Sequence, residues 1–500
     1  MSSLLLLSLL LFVPLLYFLL KPPSLPSIPN ATPNLPLIGN AIAYGINPVK
    51  FLTTQRARHG DIFLVNLGII RIVFFLGPEG TNTVLRQTEK QGVSLYAALG
   101  FLIGGSVESG MTLYFAMLNI GLKAEGWVEA SYRIMAKSLS APDNLEYWRN
   151  QVQPLIQRKF QEWAEKGEPV SLFRGLSGIV MTTLVYLLLG DEFAEKHAKE
   201  IAPKVRKYES ALQTPETKAL PRWASKNGRF MDAVEQRMCK LVGDEIARRL
   251  ENPNKYKDYP DYLQHVLNTC GGKYASGSSH FPSTNAVYSY HILGLLNGGH
   301  TNETSTFIWS ILHTTQSGLL PELRRTKSKD LLEAVFREIG RLYTNLMNLR
   351  KLTTPQVILG KSLPKGQFIA CSPLITARDS NLFPDADKFK PERWLSGDKM
   401  DEARVKNLTR SGAFVHFGKG QHACLGEKIG RMMVLDILWD TILGNGDDPG
   451  YDIEFVSGIR EGVGVDNVGV EPAWTQENLG TPFEKGQPVM VRFMRRTNAS

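Results

Sequence analysis

The sequence predicts a mainly α-helical fold with small β-sheets, an α+β protein, and three observations support this class. Between about residue 80 and residue 350, apolar residues recur mostly with a helical period. Short alternating runs rich in β-branched residues stand before and after that region. No linker-like stretch divides residues 34–500. We therefore expect one large domain in which sheets are the minor component.

Local patterns predict where the elements lie. Strand-like patterns occur at 35–40, 61–67, 71–76, 352–376 and 451–497. Proline, aspartate and lysine are frequent in 378–416, which indicates a long loop-rich connection. A helix is expected from Glu427 to Leu443, directly after the last cysteine.

Composition excludes several function classes. The 500 residues are 43% hydrophobic and 21% charged, so the chain can bury a large core. The net charge is +9, but the basic residues are scattered among acids and no basic run is interleaved with aromatics, which argues against nucleic-acid binding. A basic face towards anionic lipid or an acidic electron donor fits better. The four cysteines are widely spaced, which argues against disulfides and a zinc site: 239, 270, 371 and 424.

Residues 1–21 are predicted to form a transmembrane anchor. Ser3 to Leu20 is almost wholly apolar and uncharged, and is just long enough to span a bilayer. A cleaved signal peptide is the alternative, but the segment lacks a basic start and a small-residue cleavage site. Lys21 after the span favours a cytosolic body. Residues 22–33 are predicted to be a proline-rich hinge before the globular part at 34–500.

The most informative motif is the run Phe417–Gly426, in which one cysteine lies in a glycine-rich loop just before the predicted helix. Glycines allow a bulky flat group to approach the backbone. Backbone N–H groups and the positive end of the following helix would favour Cys424 as the thiolate. A thiolate is the axial ligand that pushes electron density onto haem iron. A buried structural cysteine is the alternative for a cysteine considered alone.

The spacing of this run favours the haem interpretation. Phe417, Gly420, Cys424 and Gly426 fit F-x-x-G-x-x-x-C-x-G, which resembles the haem loop of cytochrome P450 enzymes. The resemblance implies the P450 fold, haem b as cofactor and Cys424 as the axial ligand of its iron. It covers roughly residues 30–500 and is strongest from 290 to 445.

A second motif precedes the cysteine loop. Glu338 and Arg341 are spaced i, i+3, which places them on one face of a predicted helix. Taken alone, such a pair is an ordinary surface ion pair worth at most about 1 kcal/mol. The order Glu338, Arg341, then Arg393 in a Pro-Glu-Arg-Trp segment, then the cysteine loop resembles the P450 pattern. The resemblance implies that these three side chains form a buried structural network behind the haem.

Cations are expected at the haem propionates. Arg350, and His422 two residues before the cysteine, resemble the haem contacts of sterol 14α-demethylases. A third contact is expected from a helix near 123–139, where Arg133 is the candidate although its spacing from Trp127 differs from the usual W-x-x-x-R.

The oxygen-activating helix departs from the family pattern A/G-G-x-D/E-T-T/S, and two registers compete. If Gly298 and Gly299 are the small residues, Asn302 faces the iron. If Glu303 and Thr304 are the acid and alcohol that deliver protons, the small positions hold larger residues. We favour Glu303 and Thr304. The stretch 299–301 also resembles the G-x-H-T run of sterol demethylases.

The resemblance implies a microsomal haem-thiolate monooxygenase, single-pass in the endoplasmic reticulum membrane, with a cytosolic catalytic domain at 34–500. It would act on a small apolar substrate of sterol, terpenoid, polyketide or fatty-acid type, in secondary or lipid metabolism. Electrons would come from NADPH through NADPH–cytochrome P450 reductase, with cytochrome b5 as a second donor, and the protein would be a monomer. Asn at the iron occurs in enzymes that rearrange peroxides without outside electrons, so a peroxide isomerase or dehydratase is the alternative. A haem protein without catalysis is the third hypothesis.

Overall fold

The computed structural model describes residues 25–68, 70–102, 127–212, 214, 216–217, 220–271, 286–473, 481–483 and 488–497. Within these ranges the chain is mainly helical with small sheets, which confirms the predicted class. The helices are Ala41–Ile46, Pro48–His59, Gly77–Arg86, Leu95–Leu102, Trp127–Ser138, Pro142–Lys166, Leu172–Leu189, Asp191–Leu212, Lys226–Glu251, Pro253–Tyr256, Tyr262–Cys270, Ala286–Gln316, Leu320–Thr326, Lys329–Leu342, Pro373–Ala377, Glu402–Ser411, Glu427–Arg431 and Trp439–Leu443. A π-helical segment, Met432–Leu438, joins the last two into one rod.

A five-stranded sheet forms the β-rich part of the molecule. Its spatial order is β1-β2-β5-β4-β3, where β1 is Ile62–Asn66, β2 Arg71–Phe75, β3 Val93–Ser94, β4 Asn348–Leu352 and β5 Phe368–Cys371. Within this sheet, β2 and β5 are parallel and the other neighbouring pairs are antiparallel. The remaining strands form a three-stranded sheet and hairpins: Val170–Ser171, Gln356–Ile358, Lys361–Leu363, Leu395–Ser396, Lys399–Met400, Tyr451–Ser457, Glu471–Ala473, Thr481–Phe483 and Met490–Arg495.

The largest core surrounds two helices. The central helix, Ala286–Gln316, is buried along most of its length because its apolar residues point in all directions. The roof helix, Leu172–Leu189, packs against it. Among the described residues, the roof helix alone is long and apolar enough to cross a membrane, but 67% of it is buried within the protein. It is therefore explained as a core helix.

In the N-terminal region, one segment differs from the predicted structure and another lies outside the described residues. Residues 35–40 form a tight turn and not a strand, because Leu35 and Gly39 exchange backbone hydrogen bonds at 2.9 and 2.8 Å. Positive φ angles at Leu37 and Gly39 close that turn. The anchor predicted at 1–21 and the first residues of the predicted hinge lie outside the described residues, so the anchor stays a prediction.

Candidate active site

The cysteine loop, Phe417–Gly426, is held by its own backbone and by a neighbouring helix. The Cys424 N–H donates to the Phe417 carbonyl oxygen at 2.7 Å. Gly420 has φ +73° and lies so close to the Leu85 carbonyl that a Cβ atom would be 2.5 Å from its oxygen. A side chain at 420 would push the loop off the helix Gly77–Arg86, which explains this glycine.

The loop opens into an internal cavity of about 510 Å³. The walls come from the roof helix, the central helix, the cysteine loop and the helix that follows it. Most lining side chains are apolar, among them Leu184, Leu188, Leu295, Phe336 and Met433. The cavity therefore suits a large apolar occupant placed against the cysteine.

Cys424 lies at the floor of this cavity. The residue is accessible, and it lines the cavity. Burial raises the pKa of the Cys424 thiol, and backbone hydrogen bonds from Gly426 and Glu427 act in the opposite direction. These two N–H groups lie at the start of the following helix and offset part of the effect of burial, so the protein alone favours the thiol and the thiolate stays a prediction. An iron bound to the sulfur would favour the thiolate further.

The Glu338 carboxylate is the centre of a saturated hydrogen-bond network. It accepts from Arg341 Nε and Nη2 at 2.9 and 2.8 Å and from Arg393 Nε at 3.0 Å. Trp394 Nε1 and the Lys390 backbone N–H each donate to it at 2.9 Å. Glu338 and Arg341 are both 0% exposed. The structure thus brings Glu338, Arg341 and Arg393 together as the resemblance implied.

This network is connected to the cysteine loop through tight packing. A Cβ atom on Gly340, between the two charged residues, would come within 2.2 Å of the His416 ring. That ring stacks on Phe417 with centroids 4.1 Å apart. Phe417 in turn stacks against Phe336, two residues before Glu338 on the same helix. The helix Lys329–Leu342 therefore positions the start of the loop by direct contact.

The predicted propionate residues are only partly brought together. His422 and Arg350 are both buried, and Arg350 lies close enough to Tyr132 to influence its hydroxyl. Tyr132 lines the cavity and its hydroxyl is 2.8 Å from His422 Nδ1. Arg133, by contrast, is exposed and does not line the cavity, so its position gives the propionate assignment no support.

The central helix presents one stripe to the cavity. Asn302 and Glu303 line it, together with small residues one turn earlier, whereas Thr304 is buried away from it. At Gly298 a Cβ atom would meet nothing within 4 Å, so the wall is open beside Asn302. The structure therefore does not place Glu303 and Thr304 together on the cavity wall. Glu303 lies on the wall without Thr304, and Asn302 lies on the wall beside it.

Glu303 reaches towards the cysteine side. A Cβ atom on Gly430 would be 3.0 Å from Glu303 Oε2. Burial raises the pKa of Glu303 well above its ordinary value, and Oε1 has no hydrogen-bond partner among the described residues. A carboxyl group in this state is protonated near neutral pH and can donate a proton or a hydrogen bond.

The sequence-based reasoning missed a second polar group behind the same helix. His300 is 2% exposed; Nε2 is 2.9 Å from the Ser177 hydroxyl and Nδ1 pairs with the Glu209 carboxylate. Thr301 also hydrogen-bonds Glu209. Burial raises the pKa of Glu209 above its ordinary value, although these hydrogen bonds act in the other direction. In the sequence, the sign of this pair was the resemblance of residues 299–301, which include His300, to the G-x-H-T run. No sequence pattern indicated Glu209.

The residues present fit a haem. The cavity offers a soft sulfur donor, and Gly298 leaves open space where a side chain would project. Arg350 does not itself line the cavity, but it is buried next to the lining residue Tyr132, and its guanidinium Nε has no hydrogen-bond partner among the described residues, which suits an anionic group nearby. Sulfur, apolar walls and an available cation are the features that thiolate-bound haem needs.

Comparison with known proteins supports this assignment. The family model "Cytochrome P450" matches residues 29–443. The cytochrome P450 monooxygenase pynD of Aspergillus niger is 24% identical over 444 residues, covering 85% of this chain and 87% of the relative. Lanosterol 14-alpha demethylase of Cunninghamella elegans is 24% identical over 460 residues, covering 83% and 85%.

A solved structure supports the fold. Retinoic acid bound cyanobacterial CYP120A1 superposes with a TM-score of 0.68 at 19% identity, covering 94% of this chain and 99% of that one. The family model spans most of the chain, and related chains are named as monooxygenases. This chain therefore belongs to the cytochrome P450 family of monooxygenases, which are oxidoreductases.

Proposed function

We propose that this protein is a haem-thiolate monooxygenase that inserts one oxygen of O₂ into an apolar substrate. The observation that carries the proposal is the Cys424 thiol opening into a mostly apolar cavity whose wall includes the open stretch of the central helix. Cysteine thiolate is the ligand by which haem iron is directed towards O–O cleavage. Haem b, bound through Cys424, would supply that oxygen chemistry.

The chain's own residues would bind and orient. Phe417, Gly420 and Gly426 shape the cysteine loop, and the network at Glu338 fixes the loop's start. Arg350 and His422 are proposed at the propionate edge. The apolar walls exclude water and would hold a C–H bond of the substrate near the iron.

The lining supports a lipid-like substrate. Leucines of the roof helix and the central helix line the cavity, namely Leu184, Leu187, Leu188 and Leu295. A sterol, terpenoid, polyketide or fatty-acid substrate, in secondary or lipid metabolism, is proposed on this basis. The relative named lanosterol 14-alpha demethylase supports the sterol option.

Proton delivery is proposed to run through His300 and Glu209. Both are buried behind the cavity wall, they contact each other, and Thr301 joins Glu209 to the central helix. A histidine beside a carboxyl can pass a proton along this line. Glu303, with its raised pKa, is the second donor proposed, while Thr304 lies off the wall.

The two routes can be separated by coupling measurements. His300→Gln is expected to lower the product formed per NADPH consumed, whereas Thr304→Val should leave that ratio unchanged because its hydroxyl does not reach the cavity. If Thr304→Val lowers the product formed per NADPH consumed and His300→Gln does not, proton delivery would instead be assigned to Glu303 and Thr304, the pair that the sequence predicts.

Electron supply and location follow from the family and from the surface. We propose a monomer that receives electrons from NADPH through NADPH–cytochrome P450 reductase, with cytochrome b5 as a second donor, at the endoplasmic reticulum membrane. Exposed apolar side chains just after the predicted hinge support membrane contact: Leu35, Leu37, Ile38, Ile42 and Ile46. Ile46 is 81% exposed, which is unusual for an apolar side chain without a partner surface.

A peroxide isomerase or dehydratase is the second candidate, and the placement of Asn302 on the cavity wall favours it. Such an enzyme would convert a lipid hydroperoxide without NADPH or reductase. A monooxygenase requires both. A haem carrier without catalysis would convert neither substrate.

The test uses the full-length holoprotein in membranes with reductase. NADPH-dependent oxidation of a member of a sterol, terpenoid and fatty-acid panel is expected, and the carbon-monoxide spectrum should be that of a haem-thiolate protein. Cys424→Ser should abolish both signals. Retention of the thiolate spectrum in Cys424→Ser would overturn the ligand assignment, and hydroperoxide turnover without NADPH would establish the isomerase.

A further inference from the structure

A buried carboxylate lies behind the edge of the cysteine loop. Glu89 belongs to the short 3₁₀ turn Glu89–Gln91, and its side chain is 5% exposed. Its Oε1 accepts from the Leu95 backbone N–H at 2.8 Å and lies 3.2 Å from His422 Nε2. Ser94 is a further hydrogen-bond partner of the carboxylate. The carboxylate is therefore built into the protein and does not extend into solvent.

His422 has protein groups close to both ring nitrogens. Nδ1 is 2.8 Å from the Tyr132 hydroxyl, and Nε2 is 3.2 Å from Glu89 Oε1. The Tyr96 ring packs edge-on against the imidazole with centroids 5.6 Å apart. The ring orientation is thus held by protein groups on three sides. Nε2 makes no hydrogen bond among the described residues, so it stays able to donate to a propionate as well.

The segment bearing Glu89 is joined to the cysteine loop at several points. The Glu89 backbone N–H donates to Gln421 Oε1 at 3.1 Å, and Lys419 Nζ donates to Asn82 Oδ1 at 2.7 Å. Gly420 rests on the Leu85 carbonyl. Because these contacts fix both backbones, the distance between the carboxylate and the cavity edge is also fixed.

The charge at this edge is not balanced once haem is present. Interactions with His422, Ser94 and the Leu95 N–H outweigh the effect of burial and hold the pKa of Glu89 below its ordinary value, so it is ionised near neutral pH. Arg350 is the other formally charged group beside Tyr132. The one guanidinium of Arg350 would then stand against three carboxylates, namely two propionates and Glu89.

We propose that Glu89 is a positioning residue that holds His422 at the cavity edge and adds a fixed negative charge there, which lowers the reduction potential of the bound haem. The proposal rests on the proposed haem-thiolate function. Its physical basis is that a nearby buried anion disfavours the addition of an electron, and that outer-shell partners of a metal group tune its potential. No bond is made or broken; the ferric haem gains one electron from the reductase.

The experiment is a spectroelectrochemical titration of the holoprotein, which gives the ferric/ferrous midpoint potential. Glu89→Gln is expected to shift the potential to a more positive value. Glu89→Asp keeps the charge and should stay near wild type. Glu79→Gln removes an exposed carboxylate from the adjacent helix and serves as the matched control, with no shift expected. Equal potentials for Glu89→Gln and Glu79→Gln, at full haem content, would overturn the proposal.

A second variant covers the case in which Glu89→Gln does not retain haem. Ser94→Ala leaves the carboxylate in place but removes one of its neutral hydrogen-bond donors, so the potential should shift in the opposite, negative direction. An unchanged or positive shift contradicts the proposal. The carbon-monoxide spectrum of the wild type distinguishes failure of the haem-thiolate function from failure of the role of Glu89. If the thiolate spectrum is absent, the haem-thiolate function is refuted. If it is present and the variants show no shift in potential, only the role of Glu89 is refuted.

Discussion

Two glutamates on neighbouring helices, Glu338 fully buried and Glu303 half-buried at the cavity wall, have opposite surroundings. Glu338 accepts hydrogen bonds at both carboxylate oxygens from two arginines, an indole and a backbone N–H. Glu303 has an oxygen without a partner among the described residues, and burial raises its pKa well above the ordinary value. The surroundings of Glu338 stabilise its negative charge, whereas the surroundings of Glu303 favour its neutral, protonated form.

This difference separates structure from chemistry. A saturated carboxylate cannot exchange protons without losing several hydrogen bonds, so Glu338 suits a fixed support for the cysteine loop. An unsatisfied buried carboxyl next to a cavity costs stability and is retained where it has chemical use. The predictions below test that distinction, beginning with the largest expected effect.

Glu338→Gln should destabilise the protein most. The change leaves Arg341 and Arg393 without a charge partner in a buried site, which costs about 3–5 kcal/mol in the free energy of unfolding. Denaturant unfolding followed by circular dichroism measures it. Glu392→Gln, at an exposed position in the same turn as Arg393, is the matched control and should stay within about 0.5 kcal/mol. Similar values for the two variants would contradict the assigned support role.

The indole donor to Glu338 allows a finer test. Trp394→Phe removes one hydrogen bond to a charged group, worth about 1.5–3 kcal/mol, besides some packing. Trp439 is equally buried but its Nε1 has no partner among the described residues. Trp439→Phe therefore reports the packing loss alone. The difference between the two unfolding free energies measures the hydrogen bond, and a difference near zero would mean that Glu338 is less saturated than its geometry indicates.

A buried neutral histidine extends the comparison to pH. Burial lowers the pKa of His313 to about 3, and its Nε2 lies 2.7 Å from the Tyr343 hydroxyl. The unfolded chain binds this proton near pH 6.5, so stability is lost as pH falls from about 6.5 towards 3 and is unaffected above that window. His313→Gln should reduce the loss between pH 7 and pH 5 by about 2 kcal/mol.

That experiment compares unfolding free energies of wild type and His313→Gln at both pH values. The same substitution at His197, a half-buried histidine on the helix Asp191–Leu212, is the control. If both variants lose the same stability on acidification as wild type, His313 is not buried as a neutral group.

Glu303→Gln should have the smallest effect on stability. Glutamine resembles the protonated carboxyl that burial enforces, so the unfolding free energy should change by no more than about 0.5 kcal/mol at pH 7. If Glu303 takes part in proton delivery, product formed per NADPH consumed should nevertheless fall. A stability loss as large as that of Glu338→Gln would show that the two carboxyl groups are not different in kind.

Short-range patterns accounted for much of the fold and for the cysteine side of the site. Short apolar runs rich in β-branched and aromatic residues correctly indicated strands at 62–66 and 71–75, where consecutive residues are buried and both faces of each strand are therefore covered. Motif order indicated the Glu338 network, since its acceptor and nearest donor lie three residues apart on one helix. Residues 35–40 were misjudged because a local turn satisfied the backbone before any strand partner could.

Long-range pairs could not be predicted in this way. His300 and Glu209 are 91 positions apart in the sequence, and Glu89 and His422 are 333 positions apart (422 − 89). Neither carboxylate stands in a recognisable spacing with its partner, because tertiary packing alone brings them together. Such pairs become visible only when helices and loops are placed in space.

The roof helix has a consequence for biosynthesis. Leu172–Leu189 is as apolar as many membrane-crossing segments, yet it stays in the globular part through contacts with the central helix, including close packing of Leu184 on Gly299. If residues 1–21 are the membrane anchor that the sequence predicts, a nascent chain would present a second segment competent to enter the bilayer to the insertion machinery. In that case we expect substitutions that weaken the contact at Gly299 to yield misoriented, protease-sensitive chains as well as altered catalysis, since the topology would depend on timely folding.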